Sequence, residues 1–290
     1  MIVSQLMGGL GNQMFQYALG RTLAIKYGVA LKLDISYFGH QTLRRYGLDK
    51  LMVAATVLTE SERKRFALGD GLAARVRRVV RSKFGLLTMP IIQERSYGFD
   101  TSVLNAPSHC CLRGYWQSPK YFQAIEGYLR KEFTCRNRPE GKNAEAAARI
   151  NTCMAVSVHV RRGDYVQDPR TARYHGVCGS DYYAAAERLL RDHVGNIRLF
   201  VFSDDPDWAE ENLRFSSDFV VFRHNPPDSD YEDLRLMMLC RHHIIANSTF
   251  SWWGAWLCQN PRKIVIAPKN WFKEGGHDTS DLIPEGWVRL

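Results

Sequence analysis

The chain has 290 residues, of which 45% are hydrophobic and 24% are charged, so it can bury a sizeable core and is not a disordered protein. Its 39 Lys and Arg residues outnumber the 30 Asp and Glu residues, and the net charge of +9 favours an anionic partner without choosing among nucleic acid, a phosphorylated small molecule and a membrane surface. The seven cysteines form no C-x-x-C pair, which argues against a zinc cluster and favours a reduced, cytoplasmic protein.

The first residues predict a strand–turn–helix–strand unit. Residues 2–7 (IVSQLM) predict a short buried strand, and no basic segment of the kind that opens a signal peptide precedes them. Gly8-Gly9-Leu10-Gly11 predicts a tight turn, with Asn12 as the cap of the following helix and Gly28 at its end. Residues 29–33 predict a second strand. No run of about 18 apolar residues occurs, so no membrane-spanning helix is expected.

The middle of the chain is less regular. Thr59-Glu60-Ser61-Glu62 matches a capping box at the start of a helix. Residues 75–83 are strongly basic with a thin apolar stripe, which we interpret as a solvated helix face; a lipid-headgroup or acceptor-glycan contact is the lesser interpretation. Residues 136–150 are polar and contain Pro and Gly, so we place a domain boundary near their start, between domains 1–140 and 141–290.

The second half alternates strands with helices. The predicted strands are 154–160, 197–202, 219–222, 244–246 and 263–267, and the predicted helices are 181–194, a short one that Asp207 would cap, 230–241 and 250–259. This alternation predicts a parallel sheet with helices on both faces.

Polar clusters follow several predicted strands at the point where each strand ends. They are His159-Val160-Arg161-Arg162-Gly163-Asp164, Ser203-Asp204-Asp205-Pro206 and Asn247-Ser248-Thr249-Phe250-Ser251, and the glycine turn has the same position in the first half. Ligands of open parallel sheets bind outside the carboxyl ends of the strands, near a switch in strand order. We therefore expect these clusters to form a ligand site.

The two adjacent arginines are the first candidates. Arg161 and Arg162 each carry a rigid fork of donors that suits phosphate oxygens. Neighbouring strand residues point to opposite faces, so only one of the two is expected to face the ligand. The alternative is that both form surface or structural ion pairs.

The paired aspartates allow two interpretations. Asp204 or Asp205 would accept hydrogen bonds from a purine or a ribose, or would cap the next helix. Asp205-Pro206-Asp207 also spells D-x-D, a pattern that binds metals in some proteins. Because so short a pattern arises often by chance, metal binding is the minority interpretation.

The serine and threonine cluster and His159 also allow two interpretations each. Ser248, Thr249 and Ser251 precede a helix, where hydroxyls and backbone N–H groups hold an anion or simply cap the helix. His159 is either a ligand contact or a buried histidine with a satisfied hydrogen bond.

Taken together, four segments resemble the motif set of glycosyltransferase family 11, the α-1,2-fucosyltransferase family. The segments are Gly8-Gly9-Leu10-Gly11-Asn12-Gln13-Met14-Phe15-Gln16-Tyr17, His159-Val160-Arg161-Arg162-Gly163-Asp164-Tyr165, Ser203-Asp204-Asp205 and Ser248-Thr249-Phe250-Ser251-Trp252-Trp253-Gly254. They occur in family order and span nearly the whole chain. Because no N-terminal membrane anchor is evident, the chain is more similar to the bacterial members than to the Golgi members.

The resemblance implies a fold, a reaction and substrates. The fold is α/β of the GT-B type, with two Rossmann-like domains and a cleft between them, residues 1–140 on the acceptor side and 141–290 binding the donor. The reaction is inverting transfer of L-fucose from GDP-fucose to the 2-hydroxyl of a terminal β-galactose on a glycan or lipopolysaccharide O-antigen. No obligatory metal or other cofactor is implied.

The resemblance also implies residue roles. Arg161 contacts the donor diphosphate, and His159 and an aspartate of the Asp204-Asp205 pair lie by the guanine. Ser248, Thr249 and Ser251 lie by the phosphates. Gly9, Gly11 and Asn12 close over the donor from the other domain, and Arg162 is included among the donor-binding residues.

The residue that accepts the acceptor's proton is left open. An inverting displacement usually uses a carboxylate as general base. Asp164 is close in sequence to Arg161, but it is also suited to fix Arg161 or Arg162 by hydrogen bonding, which we favour. Asp34, at a strand end in the first half, is the second candidate, and a donor phosphate oxygen is the third.

Other classes of protein fit less well. A nucleic-acid binder needs a basic face with stacking aromatics, for which residues 75–83 are the one candidate segment. A nicotinamide-dependent oxidoreductase lacks its dinucleotide fingerprint here. A non-catalytic carbohydrate-binding protein and a fucosyltransferase of another linkage are the alternatives kept. We expect a cytoplasmic enzyme, with peripheral contact at the inner membrane face as a lesser expectation.

Overall fold

The computed structural model describes residues 1–40, 43–69, 76, 88–274 and 278–290. Apart from Val76, the basic stretch 75–83 lies outside the described residues. The chain divides into two compact units, Met1–Phe133 and Thr134–Leu290. The boundary expected from the sequence lies slightly later, where a helix of the second unit begins.

The first unit contains a five-stranded parallel sheet. Its strands are β1 (Ile2–Gln5), β2 (Leu31–Asp34), β3 (Thr56–Val57), β4 (Ile91–Gln93) and β5 (Cys110–Arg113), in the spatial order β3-β2-β1-β5-β4. Its α-helices, over the described residues, are α1 (Leu10–Tyr27), α2 (Glu60–Arg65) and α3 (Glu126–Glu132). Short 3₁₀ turns occupy Ser36–His40, Leu48–Lys50, Thr101–Asn105, Pro119–Tyr121 and Gln123–Ile125.

Helix α1 begins earlier than the sequence predicts. Gly9, with extended backbone angles, is the N-cap, and its carbonyl accepts hydrogen bonds from the N–H groups of Asn12 at 3.0 Å and Gln13 at 3.1 Å. The prediction that Asn12 caps the helix is therefore wrong, because the turn at Gly8 (φ +78°) brings the chain into the helix at once. The predicted end is confirmed, since Gly28 has φ +63° in the left-handed region.

The second unit contains a six-stranded parallel sheet. Its strands are β6 (Ala155–Val160), β7 (Arg198–Ser203), β8 (Phe219–Phe222), β9 (His242–Ile244), β10 (Val265–Ala267) and β11 (Val288–Arg289), in the order β11-β10-β9-β6-β7-β8. Its helices are α4 (Gly141–Asn151), α5 (Gly163–Gln167), α6 (Pro169–His175), α7 (Ser180–Val194), α8 (Pro206–Asn212), α9 (Asp230–Leu239) and α10 (Thr249–Leu257).

The strand order of this second sheet places a switch point at its centre. From β6 the chain moves outward through β7 and β8, and then returns to β9 on the other side of β6 and moves outward through β10 and β11. The central strands β6 and β7 are buried on both faces, because each contributes side chains to two separate apolar clusters. Ligands of such sheets bind at the carboxyl ends of the two strands beside the switch, here β6 and β9.

Among the residues that the structure describes, none of the helices combines the length and the apolar composition that a membrane span requires.

Candidate functional site

The polar clusters of the second unit meet at the carboxyl edge of the sheet because of its register. Val160, the last residue of β6, pairs with Ser203 of β7, so Arg161 and Asp204 leave the sheet side by side. On the other side, Val158 of β6 pairs with Ile244 of β9, which brings the segment after β9 to the same edge. The three clusters are far apart in sequence and are neighbours only through this strand order.

Arg161 is held between two carboxylates. Its Nη1 lies 2.7 Å from Oδ2 of Asp204, its Nη2 donates to Oδ1 of Asp164, and its guanidinium lies 5.3 Å from the ring centre of Tyr165. Burial alone would lower the pKa of Arg161, but the two carboxylates outweigh burial and raise it. The guanidinium is therefore a permanent, largely buried positive charge in a fixed orientation.

The side chain of Arg162 points away from that of Arg161, towards helix α8. Its guanidinium stacks 3.9 Å from the ring centre of Trp208, and its Nε donates to Oδ2 of Asp205 at 3.2 Å. The cation–π contact and the ion pair hold this arginine against helix α8. The expectation that the two arginines separate to different sides agrees with this geometry.

Asp204 holds the arginine segment through both of its oxygens. Oδ2 faces Arg161, and Oδ1 accepts the backbone N–H of Arg162 at 2.7 Å. Gly163 makes room for this carboxylate, because a Cβ at that position would lie 2.6 Å from Oδ2. Asp204, which belongs to the pair from which one aspartate was expected by the guanine, therefore orients Arg161 in this structure.

Asp205 is the N-cap of α8 and accepts the backbone N–H of Trp208 at 3.2 Å. The interpretation that one of the paired aspartates caps the next helix is thus confirmed, and the prediction that Asp207 caps it is wrong, because Pro206 occupies the first helical position and the residue before it becomes the cap. Asp207 instead pairs with the exposed Arg223 at 2.7 Å.

His159 is buried beside the start of α10. Its Nδ1 lies 2.9 Å from Oγ of Ser251, and its ring packs 5.6 Å from that of Phe250. Burial, with a further contribution from the charge of Arg161, lowers the pKa of His159 to about 3. The imidazole is therefore neutral at physiological pH, with one donor and one acceptor nitrogen.

The N-terminus of α10 faces the same edge. Ser248 is its N-cap and accepts the backbone N–H of Phe250 at 3.3 Å, while Ser251 donates to the carbonyl of Ser248 at 3.3 Å. Thr249 is the first residue of the helix. The capping interpretation of this cluster is thus confirmed for Ser248, and the helix end also directs a positive dipole towards the edge.

Sequence reasoning missed His175. It lies at the end of α6, and its ring stacks on that of Tyr165 with centroids 4.5 Å apart and an angle of 10° between the planes. Burial above all lowers its pKa to about 4, the nearby Arg161 charge adding to this shift. Nothing in the local pattern around His175 indicates this position, because the whole segment between β6 and α7, with the short helices α5 and α6, brings it there.

Asn247 connects several segments of the site by hydrogen bonds. Its Nδ2 donates to the carbonyls of His175 at 3.0 Å and Trp271 at 3.2 Å, and its own carbonyl accepts the hydroxyl of Tyr165 at 3.2 Å. The segment after β9 is thereby tied to α5, to α6 and to the segment after β10.

The first unit has its own switch point, between β1 and β5. Asn12, in the first turn of α1, accepts a hydrogen bond at Oδ1 from Nε2 of Gln117 at 3.0 Å. A Cβ at Gly8 would lie 2.5 Å from Nδ2 of Asn12, so the glycine is needed for both its φ and the space. Gly9 and Gly11 lie in this same turn, Gly11 buried within α1.

Asp34, the second candidate base, is 2% exposed and pairs with Arg63 at 3.1 Å. It lies at the end of β2, beside β1. Among the described residues, no group of three or more His, Cys, Asp or Glu side chains is arranged to hold a metal ion.

Sequence comparison finds matches over the whole chain. The family model described as Glycosyl transferase family 11 matches residues 1–290. An Escherichia coli alpha-1,2-colitosyltransferase is 35% identical over 295 residues, covering 100% of this chain and 98% of that protein. The Escherichia coli O-antigen biosynthesis glycosyltransferase WbnK is 33% identical over 302 residues, covering 99% of each chain.

A galactoside alpha-(1,2)-fucosyltransferase 1 from Leontocebus fuscicollis is 31% identical over 156 residues, which are 50% of this chain and 42% of that protein. Among solved structures, a mutant of Arabidopsis thaliana FUT1 in complex with GDP superposes with a TM-score of 0.53 at 12% identity, covering 93% of this chain and 71% of that one. The predicted α/β fold of the GT-B type is confirmed by this likeness and by the two parallel sheets.

Proposed function

The chain belongs to glycosyltransferase family 11 and is a glycosyltransferase, and from this premise we propose that it transfers L-fucose from GDP-fucose to the 2-hydroxyl of a terminal β-galactose. The observation that carries the proposal is the Arg161 guanidinium, fixed by Asp164 and Asp204 at the switch point of the second sheet. A nucleoside diphosphate is the leaving group that such a fixed cation suits best.

The proposed reaction is a single inverting displacement. The bond from the anomeric carbon of fucose to the diphosphate oxygen breaks while the 2-hydroxyl oxygen of galactose bonds to that carbon from the opposite face. The bonding electrons leave with GDP, whose oxygens become more negative in the transition state. Arg161 and the N-terminus of α10 are positioned to stabilise this charge without moving, which is the condition for electrostatic catalysis.

We propose that the guanosine lies near His159. With Nδ1 engaged by Ser251, Nε2 is the ring nitrogen that a guanine edge would contact. Because burial keeps the imidazole neutral, this contact would be a hydrogen bond and not an ion pair.

The hydroxyl proton needs an acceptor. Asp164 is engaged by Arg161, and Asp34 by Arg63, so both carboxylates have a structural partner. We therefore favour Asp164 as a positioning residue for Arg161, and keep Asp164, Asp34 and a donor phosphate oxygen as the three candidate bases.

We propose that the transfer has no obligatory metal, because Arg161 and the α10 N-terminus supply positive charge where a metal would. The D-x-D aspartates support this choice, since Asp205 caps α8 and Asp207 pairs with Arg223. Activity that is unchanged by EDTA is the expected result. Complete loss in EDTA with recovery on adding manganese would overturn the choice.

A second donor is favoured by one comparison. The full-length likeness to an alpha-1,2-colitosyltransferase makes colitose, which is fucose without its 3-hydroxyl, the alternative sugar. A site that hydrogen-bonds the 3-hydroxyl would reject colitose strongly, whereas an apolar site would not. For the acceptor, the likeness to WbnK favours an O-antigen glycan. We also propose that the protein is a bacterial, cytoplasmic enzyme with peripheral contact at the inner membrane.

The deciding experiment is incubation of the purified chain with GDP-fucose or GDP-colitose and a panel of β-galactosides, followed by NMR of the product linkage. We expect a new α-1,2 linkage to galactose with GDP-fucose. Preference for GDP-colitose would establish the second donor, and a different linkage would refute the acceptor position. Absence of GDP release with every acceptor, in a folded protein, would refute transfer from GDP-linked sugars.

A further inference from the structure

A cavity of about 660 Å³ lies in the second unit, and the proposed transfer gives it no role. Its walls come from α5 and α6, from the loop 176–179 and the start of α7, and from the segments that follow β9 and β10. The volume is in the range of ordinary small-molecule sites.

The cavity adjoins the arginine site. Tyr165 contributes a wall of the cavity, and the same ring lies 5.3 Å from the guanidinium of Arg161. His175, parallel to Tyr165, is a second wall, and Tyr182 is a third aromatic side chain. Tyr165 and His175 cover one face of each other, and the Arg161 guanidinium lies over the Tyr165 ring, so these two walls offer a ligand apolar contact at their ring edges. A ligand in the cavity would thus lie one aromatic ring away from the departing diphosphate.

The charged side chains that line the cavity are positive, and Leu290, which carries the terminal carboxylate, also contributes to the lining. Lys269 and Lys273 line it together with Asn247 and Asn270, and no Asp or Glu side chain is among its described lining residues. Within the described parts of the chain, neither lysine has an acidic partner. The Nδ1 atom of His175 is buried and has no hydrogen-bond partner among those same residues. The cavity therefore favours an anion that also brings hydrogen-bonding groups.

The two lysines are carried by fixed backbone. The N–H of Lys273 donates to the carbonyl of Tyr174 at 2.9 Å, and the stem of Lys273 packs on Gly176, where an added Cβ would lie 3.2 Å from its Cβ. Gly176 has φ +68°, so a larger residue would be both strained and crowded there. Lys269 donates its N–H to the carbonyl of Leu290 at 2.7 Å. Both side chains thus start from defined positions on the rim, although their ends are exposed.

We propose that this cavity, although it lies in the unit expected to bind the donor, adds an acceptor subsite for a sugar residue that carries an anionic substituent, next to the galactose that receives the transferred sugar. The sugar would contact the edges of the Tyr165 and His175 rings, and the anion would be held by Lys269 and Lys273. Identification of the ligand as an acceptor glycan depends on the proposed function, whereas the anion preference depends on the cavity alone. The anion would be a carboxylate or a phosphate, which share this chemistry.

The test is calorimetric titration of the purified protein with three methyl glycosides. The probes are β-galactosyl-(1→4)-glucuronic acid, lactose phosphorylated on its glucose 6-position, and lactose. We expect at least one anionic probe to bind about tenfold more tightly than lactose at low salt, with the advantage decreasing as salt is added. The tighter anionic probe identifies the substituent as carboxylate or phosphate.

Variants connect the preference to the cavity. Lys269→Gln together with Lys273→Gln should remove the advantage of the anionic probes and leave lactose and GDP affinities unchanged. Lys142→Gln, an exposed lysine on α4, is the matched control and should keep the advantage. Equal affinity for the three probes, an advantage that survives in the double variant, or a loss of GDP affinity in it would overturn the proposal.

The proposed function is tested separately by titrating GDP into the same protein. If GDP does not bind while the anionic glycans do, transfer from a GDP-sugar is refuted and the anionic glycan site stands. If GDP binds and the glycans show no anion preference, the subsite is refuted and the proposed function stands.

Discussion

Gln117 donates a hydrogen bond from Nε2 to Oδ1 of Asn12 at 3.0 Å, and this bond joins the loop after β5 to the first turn of α1. This loop is held in turn by Glu94, the residue that follows β4. Glu94 accepts the backbone N–H groups of Tyr115 at 2.6 Å and Trp116 at 2.8 Å, and Trp116 has φ +57° in the left-handed region. A chain of contacts thus runs from a half-buried carboxylate to the asparagine that is predicted to contact the donor.

Replacing Gln117 with Leu tests this connection. The variant keeps the volume but removes the donor to Asn12, so we expect affinity for GDP-fucose to fall about threefold to tenfold, the value of one hydrogen bond. The KM for the donor, measured at saturating acceptor, reports the change. Gln123→Leu, at an exposed position, is the control. If the KM for the donor is unchanged in the Gln117 variant, the hydrogen bond that orients Asn12 does not contribute to donor binding.

Replacing Gly114 with Ala tests how Glu94 holds the loop after β5. The new Cβ would lie 2.3 Å from Cβ of Glu94 and 2.9 Å from the Trp116 ring, so Glu94 must shift and lose its two hydrogen bonds. We expect a loss of about 2–4 kcal/mol in the free energy of unfolding, measured with urea. Gly127→Ala, in α3 with open space around its Cβ, should instead add up to about 1 kcal/mol. Equal effects at the two glycines would show that the close approach at Gly114 is not important.

Replacing Arg161 with Ala removes the fixed cation. We expect turnover to fall by about two to three orders of magnitude, because the developing charge on GDP loses its main donor. Arg161→Lys should recover little, since lysine lacks the paired geometry. Arg223→Ala, which removes an exposed, ion-paired arginine of the same unit, should keep normal turnover. Near-normal turnover of the Arg161→Ala enzyme would remove this arginine from the proposed mechanism.

Replacing Asp164 with Asn separates two roles. If Asp164 orients Arg161, as its ion pair indicates, kcat should fall about tenfold while the pH dependence of kcat keeps its shape. A general base would instead cost about 10² to 10⁴ in kcat, and the decrease of kcat at acid pH would disappear. A pH profile of kcat for both enzymes decides between these outcomes.

His159 makes the stability depend on pH. Burial lowers its pKa in the folded protein to about 3, from about 6.5 in the unfolded chain. Between these values the unfolded chain binds the additional proton, so stability is fully present above about pH 6.5 and is lost as the pH falls towards 3. For this residue alone the loss between pH 7 and pH 5 is about 2 kcal/mol.

The measurement is urea unfolding of the wild type and of His159→Gln at pH 7 and pH 5. We expect the variant to lose about 2 kcal/mol less than the wild type over this interval, since the other buried histidines contribute equally to both proteins. His193→Gln, at an exposed position on α7, is the control and should behave as the wild type. A parallel loss in the wild type and the His159 variant would contradict the buried, neutral state of His159.

Much of the local structure follows from the sequence. Strand 219–222 has the predicted bounds, the capping box of Thr59 and Glu62 is formed, and the α7 helix ends at Gly195 as expected. Errors arise where two residues compete for one role. Gly9 replaces Asn12 as the cap of α1, and Asp205 replaces Asp207 as the cap of α8. A strand boundary is also shifted, since β9 begins at His242 instead of residue 244. Short elements such as β11 were missed because two residues carry too weak a periodic signal.

The sequence by itself determined which chemical groups follow which strand, because apolar alternation, caps and glycine turns act between residues only a few positions apart. Only the tertiary structure decided the partner of each group. Arg161 meets Asp164 and Asp204, while its neighbour Arg162 meets Trp208. The physical reason is that distant residues meet through strand order and register, which depend on the packing of the whole sheet.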